Sequence, residues 1–249
     1  MKTPRLLLPL SVALLGLAAT RASAQTVITS APYTITASGQ YILGGNLNSS
    51  STTAPAITVS APNVVIDLNN YYVAGPGNTA AALSNTNSVI SVGNVANVKI
   101  KNGTVAGNAY GIVFTATNST TTSRNYLLDN VTVTRCYFYG VYFNAGAPGT
   151  VIRDCSFSTI GNSTYTANTS PSAIYTIGSL RMERNNINGV TATGTGTSYG
   201  INGFTGDFAL NNTIANCNTG IISVTKYIGN LTRGVTTNFS GGTAVGDNN

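Results

Sequence analysis

One eight-residue phrase constrains this chain more than any other feature: apolar, any, apolar, any, Asn, any, Thr, apolar. It reads Ile66-Asp67-Leu68-Asn69-Asn70-Tyr71-Tyr72-Val73, then Val98-Lys99-Ile100-Lys101-Asn102-Gly103-Thr104-Val105, then Tyr126-Leu127-Leu128-Asp129-Asn130-Val131-Thr132-Val133. Weaker copies centre on Asp154, Arg184, Asn211 and Asn230. The interval runs from roughly 19 to 32 residues, the range of a solenoid repeat. In such an array each column of the alignment keeps one physical role.

The columns assign those roles. With the Asn as position zero, position minus two holds Leu68, Ile100, Leu128, Ile152, Met182, Ala209 and Ile228. Position plus three holds Val73, Val105, Val133, Phe157, Ile187 and Ile214, until Arg233 breaks the series. Both columns predict side chains stacked inside a closed coil, and the varied positions between them predict an outer face. Inward positions five apart cannot arise from uninterrupted alternation, so a corner intervenes near zero. Asn tolerates the left-handed conformation that such a corner needs. Asn70, Asn102, Asn130, Asn211 and Asn230 are therefore expected to stack as an asparagine ladder, with Asp154 and Arg184 as departures. A second phrase, Tyr110-Gly111-Ile112, Tyr139-Gly140-Val141, Tyr199-Gly200-Ile201 and Thr219-Gly220-Ile221, marks the glycine-bearing start of the next strand. Variable stretches at 116–123, 161–171 and 191–198 read as insertions on one side of the repeat.

The opening residues are basic, followed by a short apolar run over 6–19 and Ala22-Ser23-Ala24-Gln25, the pattern of a secretory signal peptide. This divides the chain into a leader (1–24), first coils and cap (25–60), a repeat domain (61–240) and a C-terminal tail (241–249). It also predicts a secreted or periplasmic protein without a transmembrane segment. Glu occurs once, and Gly, Asn, Ser and Thr abound, which favours strands and turns over helices. Losing Lys2, Arg5 and Arg21 lowers the net charge of +6 to about +3. The dispersed cations that remain argue against a nucleic-acid partner. Cys136 and Cys217 fall in one column about three repeats apart, too far to bond, and Cys155 falls elsewhere. Repeat and composition together thus predict an all-β solenoid of stacked strands.

Two stretches carry a family likeness: Asn63-Val64-Val65-Ile66-Asp67-Leu68-Asn69-Asn70 and Pro32-Tyr33-Thr34-Ile35-Thr36-Ala37-Ser38-Gly39-Gln40-Tyr41-Ile42-Leu43. Here the chain resembles the pectin-lyase-like superfamily of right-handed parallel β-helices and looks like exported bacterial repeat proteins of that kind. The resemblance implies the fold: all-β, a single-stranded right-handed parallel β-helix (solenoid) of about seven to nine rungs. It leaves activity open, because that superfamily includes lyases, hydrolases, epimerases and adhesins.

Chemistry-bearing residues are few. Position minus one reads Lys101, Asp129, Arg153, Glu183, alternating in sign, and Asp67 is expected to face Lys99. These four residues are the candidates for catalysis on a polysaccharide, and equally for a surface ion-pair ladder. Arg153 between the two carboxylates opposes the raised pKa that a general acid needs. Without His, no Ser–His or Cys–His nucleophile can be built. No spacing suits zinc, calcium or a phosphate loop, so no metal and no cofactor are expected. The leading reading is a non-catalytic surface, structural or glycan-binding protein, the alternative a small polysaccharide lyase or glycoside hydrolase. Candidate sugar-binding rings are Tyr71, Tyr72, Tyr137, Tyr139, Tyr142 and Tyr175. A polysaccharide or cell-surface glycan is the expected partner.

Overall fold

The computed structural model describes residues 25–81, 87–115, 124–167 and 169–249. The leader at 1–24 and the insertion at 116–123 lie outside the described residues. The elements are β-strands, joined by parallel pairings into three ladders. The first ladder contains β1 (Thr26–Ile28), β3 (Gly39–Leu43), β6 (Val64–Asp67), β9 (Val98–Phe114), β10 (Leu127–Phe143), β11 (Thr150–Arg153), β14 (Leu180–Glu183), β17 (Phe208–Leu210), β19 (Lys226–Ile228) and β21 (Thr243–Ala244). The second takes β4 (Leu47–Asn48), β7 (Tyr72–Ala74), the middle parts of β9 and β10, β12 (Ser156–Gly161), β15 (Asn186–Thr191), β18 (Thr213–Ile222) and β20 (Leu231–Ser240). The third takes β2 (Tyr33–Ile35), β5 (Ile57–Val59), β8 (Ser88–Val92), the ends of β9 and β10, β13 (Ser172–Tyr175), β16 (Tyr199–Asn202), and the ends of β18 and β20. Each step of a ladder advances by one sequence repeat.

The apolar columns form the core, with corrections at both ends. Ile66, Ile100, Leu128, Ile152, Met182 and Ala209 lie opposite one another and are buried. Ile66, rather than Leu68, holds the first place. Four residues lie between Asp67 and Tyr72, where two lie between Lys101 and Thr104, so the first copy has a longer corner. Leu68 turns inward there and fills the space left by Gly103, which has no room for a Cβ. At the other end Tyr227, not Ile228, faces Ala209. The second column runs Leu47, Val73, Val105, Val133, Phe157, Ile187 and Ile214, and continues in Thr232; Arg233 faces Ala215 instead. The third ladder adds Ile57, Ile90, Ile112, Val141, Ile174, Ile201 and Ile221.

The predicted corner has left-handed backbone at Asn70, Asn102, Asn130, Asp154, Arg184 and Asn211, with φ between 54° and 61°. Asn230 does not share it. Gly229 (φ 65°) takes the corner, and this one-residue shift displaces the last copy of the phrase. Two further left-handed columns exist, Asn63–Asn97–Asn125 and Gly107–Arg135–Thr159–Gly189–Asn216–Gly234. Of these left-handed columns, the phrase marked only the first, at Asn70 to Asn211.

A second asparagine ladder lies one residue past the corner, inside the molecule. Asn185, Asn212 and Asn230 are essentially buried. The Asn185 N–H and Nδ2 both donate to Asn212 Oδ1 at 3.0 Å, and Asn185 Nδ2 also reaches the Ile152 carbonyl at 3.0 Å. Asn212 repeats this toward Asn230 Oδ1 (3.0 and 2.9 Å) and the Met182 carbonyl (3.0 Å). Asn230 hands the pattern on to Asn248 at 3.2 Å. The exposed corner makes a looser ladder, with Asn130 Nδ2 donating to Asn102 Oδ1 at 3.2 Å. Residues 25–60 join the ladders through β1–β5, with Ile28 and Ile35 buried. Residues 241–249 continue them: β21 pairs with β19, and the Gly229 N–H reaches the Asp247 carbonyl at 2.7 Å. All three cysteines are buried and outside any disulfide. Among the described residues no helix is long and apolar enough to cross a membrane.

Candidate functional site

The four charged candidates come together on the outer side of the first ladder. Asp67 faces Lys101, Lys101 faces Asp129, Asp129 faces Arg153, and Arg153 faces Glu183. Lys101 Nζ lies 2.8 Å from Asp67, so Asp67 belongs to this column and does not face Lys99. Lys99 reaches Asp129 instead, at 3.2 Å. Arg153 grips Asp129 with Nε at 3.1 Å and Nη2 at 3.2 Å. Glu183 takes Arg181 at 2.7 Å and Arg184 at 3.5 Å, and Arg184 also binds Asp154 through two 2.8 Å contacts. The Arg153 guanidinium holds the Asp129 carboxyl below the usual range, and Arg184 does the same for Asp154. At Asp67, burial pushes upward but is outweighed by Lys101, the Asn69 N–H and Asn102. Asp67, Asp129 and Asp154 therefore stay ionised, the opposite of what a general acid requires.

One carboxyl is shifted the other way. Asp207 is fully buried and is pushed by burial up to about 6, against the pull of the Leu180 and Phe204 N–H groups at 2.9 and 2.8 Å and the Thr176 hydroxyl at 3.2 Å. It ties the turn before β14 to the turn before β17. With a folded pKa above the unfolded value of about 3.9, its contribution to stability is complete below about pH 4 and lost as pH rises through about 6. We expect thermal melts between about pH 4 and 7 to show the native protein losing about 3 kcal/mol relative to Asp207→Asn. Parallel curves would place the carboxyl at an ordinary pKa. Asp67, Asp129 and Asp154 act in the opposite sense, gaining stability as pH rises, but are partly exposed and contribute little each.

The aromatic residues form the second assembly. Tyr139, Tyr142 and Tyr175 converge on the outer side of the third ladder, joined there by Tyr110. Ring centroids are 5.5 Å apart for Tyr110–Tyr139 and Tyr110–Tyr142, 5.2 Å for Tyr139–Tyr142 and Tyr142–Tyr175, and 5.0 Å for Tyr139–Tyr175. Interplanar angles are 12° to 38°. Near-parallel rings this far apart are offset like shingles, so part of each face stays uncovered. Phe138 flanks Tyr110 at 6.0 Å. Burial, reinforced by neighbouring phenols, pushes Tyr139 up to about 12 and raises Tyr110 and Tyr142, so the hydroxyls remain neutral donors. Ser172 lies between Tyr139 and Tyr199 in register, fully buried and with its hydroxyl unpartnered.

The other candidate tyrosines lie apart. Tyr71 packs partly against the core, and Tyr72, on the second ladder, accepts a bond from Asn48 Nδ2 at 3.2 Å. Tyr137 lines a cleft of about 250 Å³ with Gly77, Gly107 and Arg135. A second cleft of about 360 Å³ lies along the 191–198 insertion, beside Asn216 and Cys217. Neither cleft touches Lys101, Asp129, Arg153 or Glu183. The 161–171 insertion bonds Asn78 and Thr193 rather than walling the charged column. Among the described residues no three His, Cys, Asp or Glu side chains gather as for a metal. Sequence reasoning missed Tyr110, although the Tyr-Gly-apolar phrase contained both it and Tyr139. No family model, curated protein or solved structure matches the chain.

Proposed function

We propose that this chain is an exported, single-stranded right-handed parallel β-helix of the pectin-lyase-like kind that binds a glycan without cleaving it. The fold reading is supported by three parallel ladders that advance together one repeat at a time, and right-handed crossover is the rule for parallel strands. The observation that carries the function is the tyrosine face: four shingled rings on one rigid sheet, with open ring surface and neutral hydroxyls and no ionised group in the cluster. Sugars offer apolar C–H faces to such rings and hydroxyls to such donors. Against catalysis stands the pairing of every carboxylate in the charged column with a cation.

The test compares the mature protein with Tyr139→Ala/Tyr142→Ala by affinity electrophoresis through gels containing neutral or acidic polysaccharides. The native protein should be retarded by at least one of them. The double variant should lose most of that retardation, about tenfold or more in affinity, since each stacking contact contributes about 0.5–1.5 kcal/mol. Equal retardation of both proteins would sink the tyrosine reading. A parallel assay for new reducing ends or unsaturated products addresses the lyase or hydrolase alternative: turnover abolished by Asp129→Asn would transfer the function to the charged column.

A further inference from the structure

Five of the described cations have a carboxylate within ion-pair distance: Lys99, Lys101, Arg153, Arg181 and Arg184. Arg135 is not among them, and it lines the cleft of about 250 Å³ together with Tyr137, Asn48, Gly77 and Gly107. None of the lining residues is acidic. Two features of the chain place these groups there at a cost. Arg135 is left-handed (φ 54°), a conformation unfavourable for a residue with a Cβ, in a corner column that holds glycine at Gly107, Gly189 and Gly234 and a side chain at Thr159 and Asn216. Immediately after it the ladder breaks register between Cys136 and Tyr139, so that Tyr137 and Phe138 together oppose Ala109 alone. This is a β-bulge, which re-aims side chains. Here it divides the two rings: Phe138 joins the tyrosine face, and Tyr137 goes to the cleft. Burial raises the Tyr137 phenol above its ordinary pKa, so it keeps a proton to donate. Gly77, also left-handed (φ 81°), would direct a Cβ into open space, so its backbone leaves the cleft accessible.

We propose that this cleft is an oxyanion site, binding a sulfate or phosphate group through the Arg135 guanidinium and the Tyr137 hydroxyl. A planar guanidinium fork beside a neutral O–H donor, with no carboxylate to compete, matches the geometry of such a group. The anion is either free in solution or carried as an ester on a glycan. The site is independent of the tyrosine face, which belongs to another ladder, and stands if that reading fails.

The experiment is an NMR titration of the isotopically labelled mature protein with sodium sulfate, sodium phosphate and a sulfated oligosaccharide at constant ionic strength. Saturable shifts are expected at the Arg135 Nε–H and at the Gly77 and Gly107 amides. Arg135→Gln should weaken binding at least tenfold, and Tyr137→Phe should weaken it by a smaller factor. Arg135→Gly, which introduces the residue present at Gly107, Gly189 and Gly234 of the same column, should also lose binding while melting no lower than the native protein. Tighter binding of the sulfated oligosaccharide than of either inorganic ion identifies a glycan ester as the source, and the reverse identifies the free anion. Unchanged affinity in Arg135→Gln, or shifts centred on Arg124, Lys226 or Arg233 instead, would overturn the proposal.

Discussion

Replacing Ile152 by Asp is expected to leave the chain unfolded. Ile152 is fully buried, between Leu128 and Met182 in the first ladder, and its carbonyl accepts the Asn185 amide. A carboxylate there has no cation within the core and would be desolvated without compensation, a change worth about 4 kcal/mol or more. That is a large share of the stability of an ordinary domain, about 5–15 kcal/mol. Neighbouring steps depend on this one, because each layer of a stacked array buries its apolar face only against the next. Far-UV circular dichroism and a thermal melt measure the effect. Ile152→Val should cost only about 0.5–1.5 kcal/mol, and Thr132→Ser, on the outer side of the second ladder, less than about 0.5 kcal/mol. A cooperative melt near the native temperature for Ile152→Asp would show that the column is not a continuous core.

The second large effect is expected at Asn212. Truncation to Ala removes the acceptor of the Asn185 N–H and side-chain amide and the donor to the Met182 carbonyl, all in the dry interior. Each orphaned group costs about 1–3 kcal/mol, so a loss of about 3–5 kcal/mol is expected once local relaxation is allowed for. Asn212→Asp should be no better, since it loses the donor and adds a buried charge. Asn130→Gly, at the exposed corner, should change stability by less than about 1 kcal/mol, because Gly adopts the same left-handed backbone and only one solvent-facing bond is lost. Equal effects of Asn212→Ala and Asn130→Gly in denaturant titrations would contradict the distinction between the two ladders.

That distinction shows what the sequence revealed and what it concealed. Purely apolar columns, recurring at fixed offsets from an Asn, were enough to locate the core strands and one left-handed corner. Periodicity is a property of position, and position survives in a linear string. The buried ladder was harder to find because Asn185, Asn212 and Asn230 follow Arg184, Asn211 and Gly229, so the corner residue itself varies while its neighbour stays constant. Aligning on the wrong asparagine shifted the last copy by one. The extra length between Asp67 and Tyr72 shifts the start of the first copy by two, and this moves Asp67 from Lys99 to Lys101.

The candidate sites were legible in proportion to their dependence on register. Alternating signs at Lys101, Asp129, Arg153 and Glu183 could be read directly, because adjacent repeats place them side by side. The tyrosine face required knowing that residues three apart, Tyr139 and Tyr142, share one surface. Simple alternation puts them on opposite surfaces, but Gly140 and Val141, buried in succession between them, break that alternation. Tyr71 and Tyr72 looked equally suitable as isolated rings but belong to another part of the circuit.

The central claim, that the tyrosine face receives a glycan, is tested most directly by a crystal structure of the mature protein with a bound oligosaccharide chosen from the polysaccharide that retards it. The account predicts sugar density lying over Tyr110, Tyr139, Tyr142 and Tyr175, with hydroxyl contacts to their phenols. Sugar seated instead along Lys101, Asp129, Arg153 and Glu183, with the four rings bare, would contradict it.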